Sequence, residues 1–320
     1  MRNAFDAWVE CSCGARHWGL GGAAGLALVD VASRAVALQL RSERSHHGGT
    51  WGLPGGAIGT GETPLAGALR EAAEEADVRP ADVRPVLTRV LDHGEWSYTT
   101  VLARTLRSAT GGGRPTLTAL DGESADLRWV DLDAVADLPL HPSFAAAWPR
   151  LRALALLDPV LVVDVANVLG ARPDGWWRDR AGASARLLTA LAGALGTPGG
   201  TGAVTPADDG GVPAGWFGLD ALDPEVARAW PRTVAVLEGA ARDAAPPEQP
   251  PSPSSVPAPA LELVRAPGSG DDAVVEAAEA ASATGATVVV ATADRGLRAR
   301  LPAGVAVVGP GTLRDLVDRR

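Results

Sequence analysis

The sequence predicts an α/β protein built from two units, each a β-sheet with helices against it. Three observations carry that reading. Valine- and leucine-rich runs of strand length recur throughout the 320 residues. Before residue 158 they surround one Ala-, Leu- and Glu-rich segment, Thr63 to Asp77, with the composition and length of a helix. After residue 158 they alternate with helical stretches, the pattern of a parallel sheet with right-handed crossovers. A chain of this length suits two domains, and the boundary falls between units 1–157 and 158–320.

In the first unit, Ala24 to Val31 and Arg34 to Leu40 are strands joined by a turn at Ala32-Ser33. Pro85 to Leu91 and Trp96 to Thr105 are two more, split by the hairpin-like His93-Gly94-Glu95. Gly111-Gly112-Gly113 is a loop, Ala125 to Val130 a strand, and Phe144 to Leu156 a closing helix. On the Thr63–Asp77 helix, Glu71, Glu74 and Glu75 stand at i, i+3 and i+4, so three carboxylates share one face. Like charges at this spacing cost about 0.2–0.5 kcal/mol per pair, and Arg70 is the only cation beside them. A hard divalent cation on that face accounts for the pattern. Magnesium takes oxygen ligands of this kind and bridges to phosphate oxygens.

The residues around this face fall into a fixed pattern. Gly56, Glu62, Arg70-Glu71, Glu74-Glu75 and Val78, preceded by Trp51-Gly52-Leu53-Pro54-Gly55, resemble the Nudix box of the Nudix pyrophosphohydrolases. Two positions depart from it. Ala72 stands where a bulkier aliphatic is common. Asp77 replaces the glycine that ends the helix in the left-handed conformation, which Asp adopts less readily than Gly. The resemblance implies an α/β/α sandwich over about residues 15–150. It also implies metal ligation by Glu71, Glu74, Glu75 and the Gly56 carbonyl, with magnesium or manganese as the ion. Arg70 would orient a box carboxylate, and Glu62 would be a supporting acid at the helix start. Glu123, just before a strand, stands where some relatives carry an extra catalytic acid. The implied chemistry is attack of water on a phosphorus of a diphosphate, with a carboxylate taking the proton.

Substrate identity lies outside the box. Trp51, Trp96 and Tyr98 are candidates to stack on a base, and His46, His47 and His93 to contact phosphates. Cys11, Cys13 and His17 supply three zinc-type ligands, but a closed site needs a fourth that the sequence does not name. Two reduced thiols in a short N-terminal turn is the plainer reading. The net charge is −9, lysine is absent, and no basic run suggests non-specific nucleic-acid binding. With neither a signal peptide nor an apolar run long enough to span a bilayer, the expectation is a cytoplasmic protein with no membrane partner.

In the second unit the strands are Pro159 to Val163, Thr233 to Leu237, Leu261 to Val264, Thr287 to Ala291 and Val305 to Val308. Helices are expected over Gly182 to Leu195, Pro224 to Trp230 and Thr312 to Asp318, and loops over residues 196–215 and 243–259. Asp164, Glu238 and Asp294 follow strands, and Asp271 opens a helix after another. Parallel sheets bind ligands at that carboxyl edge, so the four acids would make a metal site, with Asn167 in support. The arrangement resembles the PIN-like and NYN nuclease domains, a Rossmann-like fold, and implies an RNA partner. Against that, the unit carries 14 Arg and 20 Asp plus Glu, a net of −6. Arg172, Trp176, Trp177, Arg178 and Arg180 are the one group suited to grip a strand of RNA.

Two functions therefore compete. One is a small-molecule Nudix hydrolase acting on a nucleoside triphosphate or a nucleoside diphosphate-linked substrate, with an accessory second domain. The other is an RNA-directed protein whose second domain cuts or binds RNA.

Overall fold

The computed structural model describes residues 7–106, 114–120, 122–195, 209–247 and 261–319. The glycine loop at 111–113, most of the loop at 196–215 and most of that at 243–259 lie outside the described residues. In chain order the first half runs β1 (Trp8–Glu10), β2 (Arg16–Trp18), β3 (Ala23–Asp30), β4 (Ala35–Arg41), β5 (Trp51–Gly52), β6 (Gly55–Ala57), α1 (Pro64–Ala76), β7 (Val83–Asp92), β8 (Ser97–Thr105), β9 (Ser124–Asp131) and α2 (Pro142–Leu154). The second half runs β10 (Pro159–Asp164), α3 (Val165–Gly170), α4 (Arg180–Leu195), β11 (Val212–Pro213), α5 (Leu219–Leu222), β12 (Val226–Ala229), β13 (Arg232–Leu237), β14 (Leu261–Arg265), α6 (Gly270–Ala283), β15 (Thr287–Ala291), α7 (Arg295–Arg298), β16 (Ala306–Val308) and α8 (Pro310–Val317).

The large mixed sheet has the order β11-β12-β7-β8-β3-β4-β5, with β6 paired to β3 and β9 to β4. Its central strand explains the layering. Along β3, Ala24, Leu26 and Leu28 enter one core with Leu65, Leu69, Ala72 and Ala76 of α1. The alternate residues Ala27 and Val29 enter another with Phe144, Trp148, Leu151 and Leu154 of α2. A strand buried on both faces reads as a continuous apolar run, as Ala23–Asp30 does, and the result is a helix–sheet–helix sandwich. Thr63 caps α1 by accepting the Ala66 N–H at 3.2 Å. Asp77 ends it at φ +56°, the left-handed geometry expected of the position.

The second sheet is wholly parallel, ordered β14-β13-β10-β15-β16. β10 splits its side chains in the same way. Val160 and Val162 pack toward α6, while Leu161 and Val163 face α3, α4 and α8. This latter core is continuous with the α2 side of the first sheet.

The junction is more than a linker. Residues 224–230, expected as a helix, instead form β12, which pairs antiparallel with β7 through Val226↔Arg89 and Ala229↔Leu87. Val226 and Ala229 are buried and Ala227 is exposed, and β11 pairs along the outer side of the strand through Val212↔Ala229. Tertiary pairing overrides the helix-forming residues of Pro224–Trp230, because β7 would otherwise present an unpaired edge. Trp230 then inserts into the core beneath α1, 1% exposed, and its backbone N–H donates to Val86 O at 2.8 Å. Asp158 completes the joint. It pairs with Arg104 at 3.0 Å, Arg232 at 3.3 Å and Arg84 at 3.6 Å, from β8, β13 and β7. Arg104 also donates to the carbonyls of Leu156 and Leu157. Among the described residues no helix is long and apolar enough to cross a membrane.

Because Trp230 belongs to the core under the glutamate helix, Trp230→Ala in the full chain should destabilise the first half. Large-to-small changes of this kind cost about 3–5 kcal/mol. Urea denaturation followed by near-ultraviolet circular dichroism measures it.

Candidate active site

The acidic face of α1 lies against the short strand β6. β6 pairs with β3 through Ala24↔Gly56 and Gly25↔Gly55, which brings the Gly55-Gly56 backbone onto the helix. No larger residue fits. A Cβ on Gly56 would meet Glu71 Oε1 at 2.6 Å, and one on Gly55 would meet the Ala24 carbonyl oxygen at 2.4 Å. Glu75, 4% exposed, accepts the Gly55 N–H at 2.8 Å.

Arg70 organises the remaining acids. Its Nε and Nη2 bind the two oxygens of Glu62 at 2.9 and 3.0 Å. Its Nη1 reaches Glu71 at 2.9 Å and Glu74 at 3.1 Å, and Nη2 also donates to the Ala57 carbonyl at 3.0 Å. Glu62 in turn accepts the Gly59 N–H at 2.7 Å. One guanidinium thus fixes three carboxylates and a carbonyl of β6, and these partners raise its proton affinity further. Burial pushes the Glu71 carboxyl up despite Arg70, with Glu74 and Glu62 adding to the rise.

The candidate substrate contacts separate. Tyr98 lies across Gly25, where a Cβ would meet its Oη at 2.2 Å. Burial, then the charge of Glu75, drive its hydroxyl pKa well up. Tyr98 is half-buried, its hydroxyl packed on the β3 backbone at Gly25. Trp51 is 5% exposed, with the Arg128 guanidinium 5.3 Å above its ring, so it lacks an open face. Trp96 stacks on His17 at 4.1 Å and donates to the Trp18 carbonyl at 3.0 Å. Glu123 is exposed beside β9, its carbonyl accepting the Ser42 N–H at 2.8 Å. His46 and His47 meet His141 in a group that sequence spacing could not reveal. His141 caps α2 by accepting the Ser143 N–H on Nδ1 at 3.3 Å.

In the second half, Asp164, Asn167, Glu238, Asp271 and Asp294 line one cleft of about 470 Å³. β10 lies between β13 and β15, so the ends of three neighbouring strands supply Asp164, Glu238 and Asp294. Asp164 accepts from the Asn167 N–H at 3.0 Å and the Thr292 hydroxyl at 2.9 Å. Glu238 accepts the Gly270 N–H at 2.8 Å, and the Asn167 side chain takes the Ala293 N–H at 2.8 Å. Burial raises the Asp164 carboxyl, with Asp271 and Glu238 adding to it. Asp271 is raised by burial, then by Asp294 and Glu238. The strand-gripping group fares differently. Arg172 is held by Asp315 and Asp318, and Arg180 sits over the Trp176 ring at 5.4 Å. Trp177, at 51% exposure, and Arg178 are open to solvent.

A glutamate helix laid on a glycine strand, clamped by one arginine inside a helix–sheet–helix sandwich, defines the Nudix class. The Nudix domain family model matches residues 19–151. A putative 8-oxo-dGTP diphosphatase 3 of Mycobacterium tuberculosis is 43% identical over 173 residues, covering 51% of this chain and 76% of that protein. A nucleoside triphosphate pyrophosphatase/Nudix hydrolase fusion protein of Bifidobacterium longum is 42% identical over 153 residues, 46% of this chain but 31% of that protein. The crystal structure of a Nudix hydrolase from M. smegmatis, RenU, is 44% identical and covers 47% of this chain and 94% of that one, with a TM-score of 0.42. The chain belongs to the Nudix hydrolase family. It spans under a third of the Bifidobacterium protein and about three quarters of the mycobacterial one.

Two outcomes follow from the titrating groups. Burial, then His47, depress His141 from 6.5 to about 4. The folded state therefore binds fewer protons than the unfolded one between those values. Its contribution is whole above pH 6.5 and is lost as pH falls toward 4. His141→Asn keeps a capping side chain without the titration, so it should flatten the fall in Tm between pH 7 and 5. At the second cleft the sign reverses, because a raised carboxyl costs stability once ionised. Asp271→Asn should raise Tm at pH 7 in EDTA, measured by differential scanning fluorimetry.

Proposed function

We propose that the protein is a metal-dependent nucleotide pyrophosphohydrolase, cleaving a diphosphate bond in a nucleoside triphosphate or a nucleoside diphosphate-linked compound. The observation that carries this is the cradle of Glu71, Glu74 and Glu75 against the glycine strand at Gly56. These groups suit a hard cation: all are oxygen donors, one guanidinium leaves negative charge over, and a Cβ at position 56 would occupy the space. Glu71, Glu74, Glu75 and the Gly56 carbonyl would hold magnesium or manganese. When bound, that ion stabilises charge on phosphoryl oxygens and lowers the pKa of water.

The chain's own groups do the rest. Arg70 fixes Glu71 and Glu74 relative to each other and to Glu62, so the face is set before substrate arrives. The Gly55 N–H holds Glu75. The mycobacterial relative's name favours a nucleoside triphosphate among the alternatives.

A screen of nucleoside triphosphates, oxidised purine triphosphates, nucleotide sugars and dinucleoside polyphosphates with magnesium tests the reading. One class should turn over, and Glu75→Gln should lower its kcat by about 100-fold or more with the fold retained, since it removes stabilisation of transition-state charge. Near wild-type kcat in that variant would refute the site.

A second reading rests on the cleft of Asp164, Glu238, Asp271 and Asp294. We infer a PIN/NYN-like domain that holds a divalent ion there and acts on RNA. Manganese-dependent cutting of single-stranded RNA, lost in Asp164→Asn/Asp294→Asn, would support a nuclease. Binding without cutting would make the domain an RNA-binding module, and neither would leave it as scaffold to the hydrolase.

A further inference from the structure

The N-terminal hairpin poses a stability problem. β1 and β2 pair through only Trp8↔Trp18, Val9↔His17 and Glu10↔Arg16. Trp8 and Trp18 stay 38% and 41% exposed, and a lone two-stranded ribbon is marginal in water. Something other than an apolar core must hold it.

Its turn carries Cys11 and Cys13, and β2 carries His17. The long β7–β8 hairpin bends over this turn and adds His93. The bend is fixed locally: Gly94 takes φ +87°, its N–H donates to Asp92 at 2.8 Å, and the His93 N–H donates to the Trp96 carbonyl at 2.9 Å. One ligating atom from each of Cys11, Cys13, His17 and His93 lies within 4.8 Å of the other three. Cys11 Sγ is 3.6 Å from His93 Nδ1, and Cys13 Sγ is 3.1 Å from His17 Nε2. Tetrahedral zinc, with bonds of about 2.3 Å to sulfur and 2.0–2.1 Å to nitrogen, sets its ligand atoms about 3.3–3.8 Å apart. Small side-chain adjustments bring the four onto such a centre.

We propose that Cys11, Cys13, His17 and His93 bind one zinc ion in a closed Cys2His2 site that staples the N-terminal hairpin to the β7–β8 turn. Two thiolates and two neutral imidazoles balance the ion's charge and leave no open position, so the site is structural. Binding releases the two thiol protons. The single residue between the cysteines is fewer than the usual two to four. Gly14 at φ +85° and an N–H of Cys13 aimed at Cys11 Sγ at 3.5 Å make the tight turn workable. His17 also stacks on Trp96, so the metal would fix that ring as well.

The test uses the untagged, fully reduced full-length chain, dialysed and given zinc alone. Inductively coupled plasma mass spectrometry should find about one tightly held zinc per chain. Cobalt substitution should give tetrahedral d–d bands with thiolate-to-cobalt charge transfer. That second feature separates this centre from the His46, His47 and His141 group, which has no sulfur. Cys13→Ser and His93→Asn should each lower zinc affinity at least about tenfold, whereas Glu75→Gln should leave it unchanged. A wild-type chain that retains no zinc and shows no charge transfer would overturn the proposal without touching the hydrolase reading. So would a His93→Asn protein with wild-type spectrum and affinity.

Discussion

A single carboxylate, Asp158, sits where the two sheets meet and takes three guanidinium groups, from β7, β8 and β13. Burial lowers the proton affinity of Arg84 and Arg104, yet arginine keeps its charge, where a lysine would be prone to release its proton. A buried pair of this kind adds little net stability but is costly to break. Its value here is positional. It fixes the end of α2, the start of β10 and the β7–β8 pair in one place, and from that point the cores on either side run together.

The two acidic clusters are built on opposite electrostatic plans. On α1 the repulsion among Glu62, Glu71 and Glu74 is met from within by Arg70. The cleft at the edge of the parallel sheet has no arginine in its lining, and Arg300 pairs with Asp272. Backbone N–H groups and Thr292 hold individual carboxylates there but do not neutralise them. The first cluster is set without a ligand, and the second is left with charge uncompensated.

Much of this was legible in the residues. The acidic face of α1, the five parallel strands and the convergence of Asp164, Glu238, Asp271 and Asp294 follow from period and position, and the left-handed Asp77 from the resemblance to the Nudix box. A parallel sheet brings strand ends together whatever the sequence between them. What could not be read depends on partners far along the chain. Pro224–Trp230 has helix-forming residues, and only the open edge of β7 makes Val226–Ala229 a strand. Trp51 and Tyr98 have the chemistry to stack on a base, but Arg128 sits over the Trp51 ring and the Tyr98 hydroxyl packs on Gly25. His93 lies 82 residues from Cys11, and no spacing rule joins them. His46, His47 and His141 come together for the same reason.

The strand β12 gives the order of synthesis a physical meaning. The glutamate helix, its glycine strand and the arginine clamp all leave the ribosome before residues 226–230 exist. Until those residues arrive, β7 carries a bare edge and the space under α1 lacks its indole. Unpaired edges are where nascent and partly folded chains aggregate. The large sheet is therefore completed late, after nearly half of the polypeptide that follows residue 157 has been made. A ribosome that stops early releases a chain with every box residue of the hydrolase and an unfinished sheet to hold them.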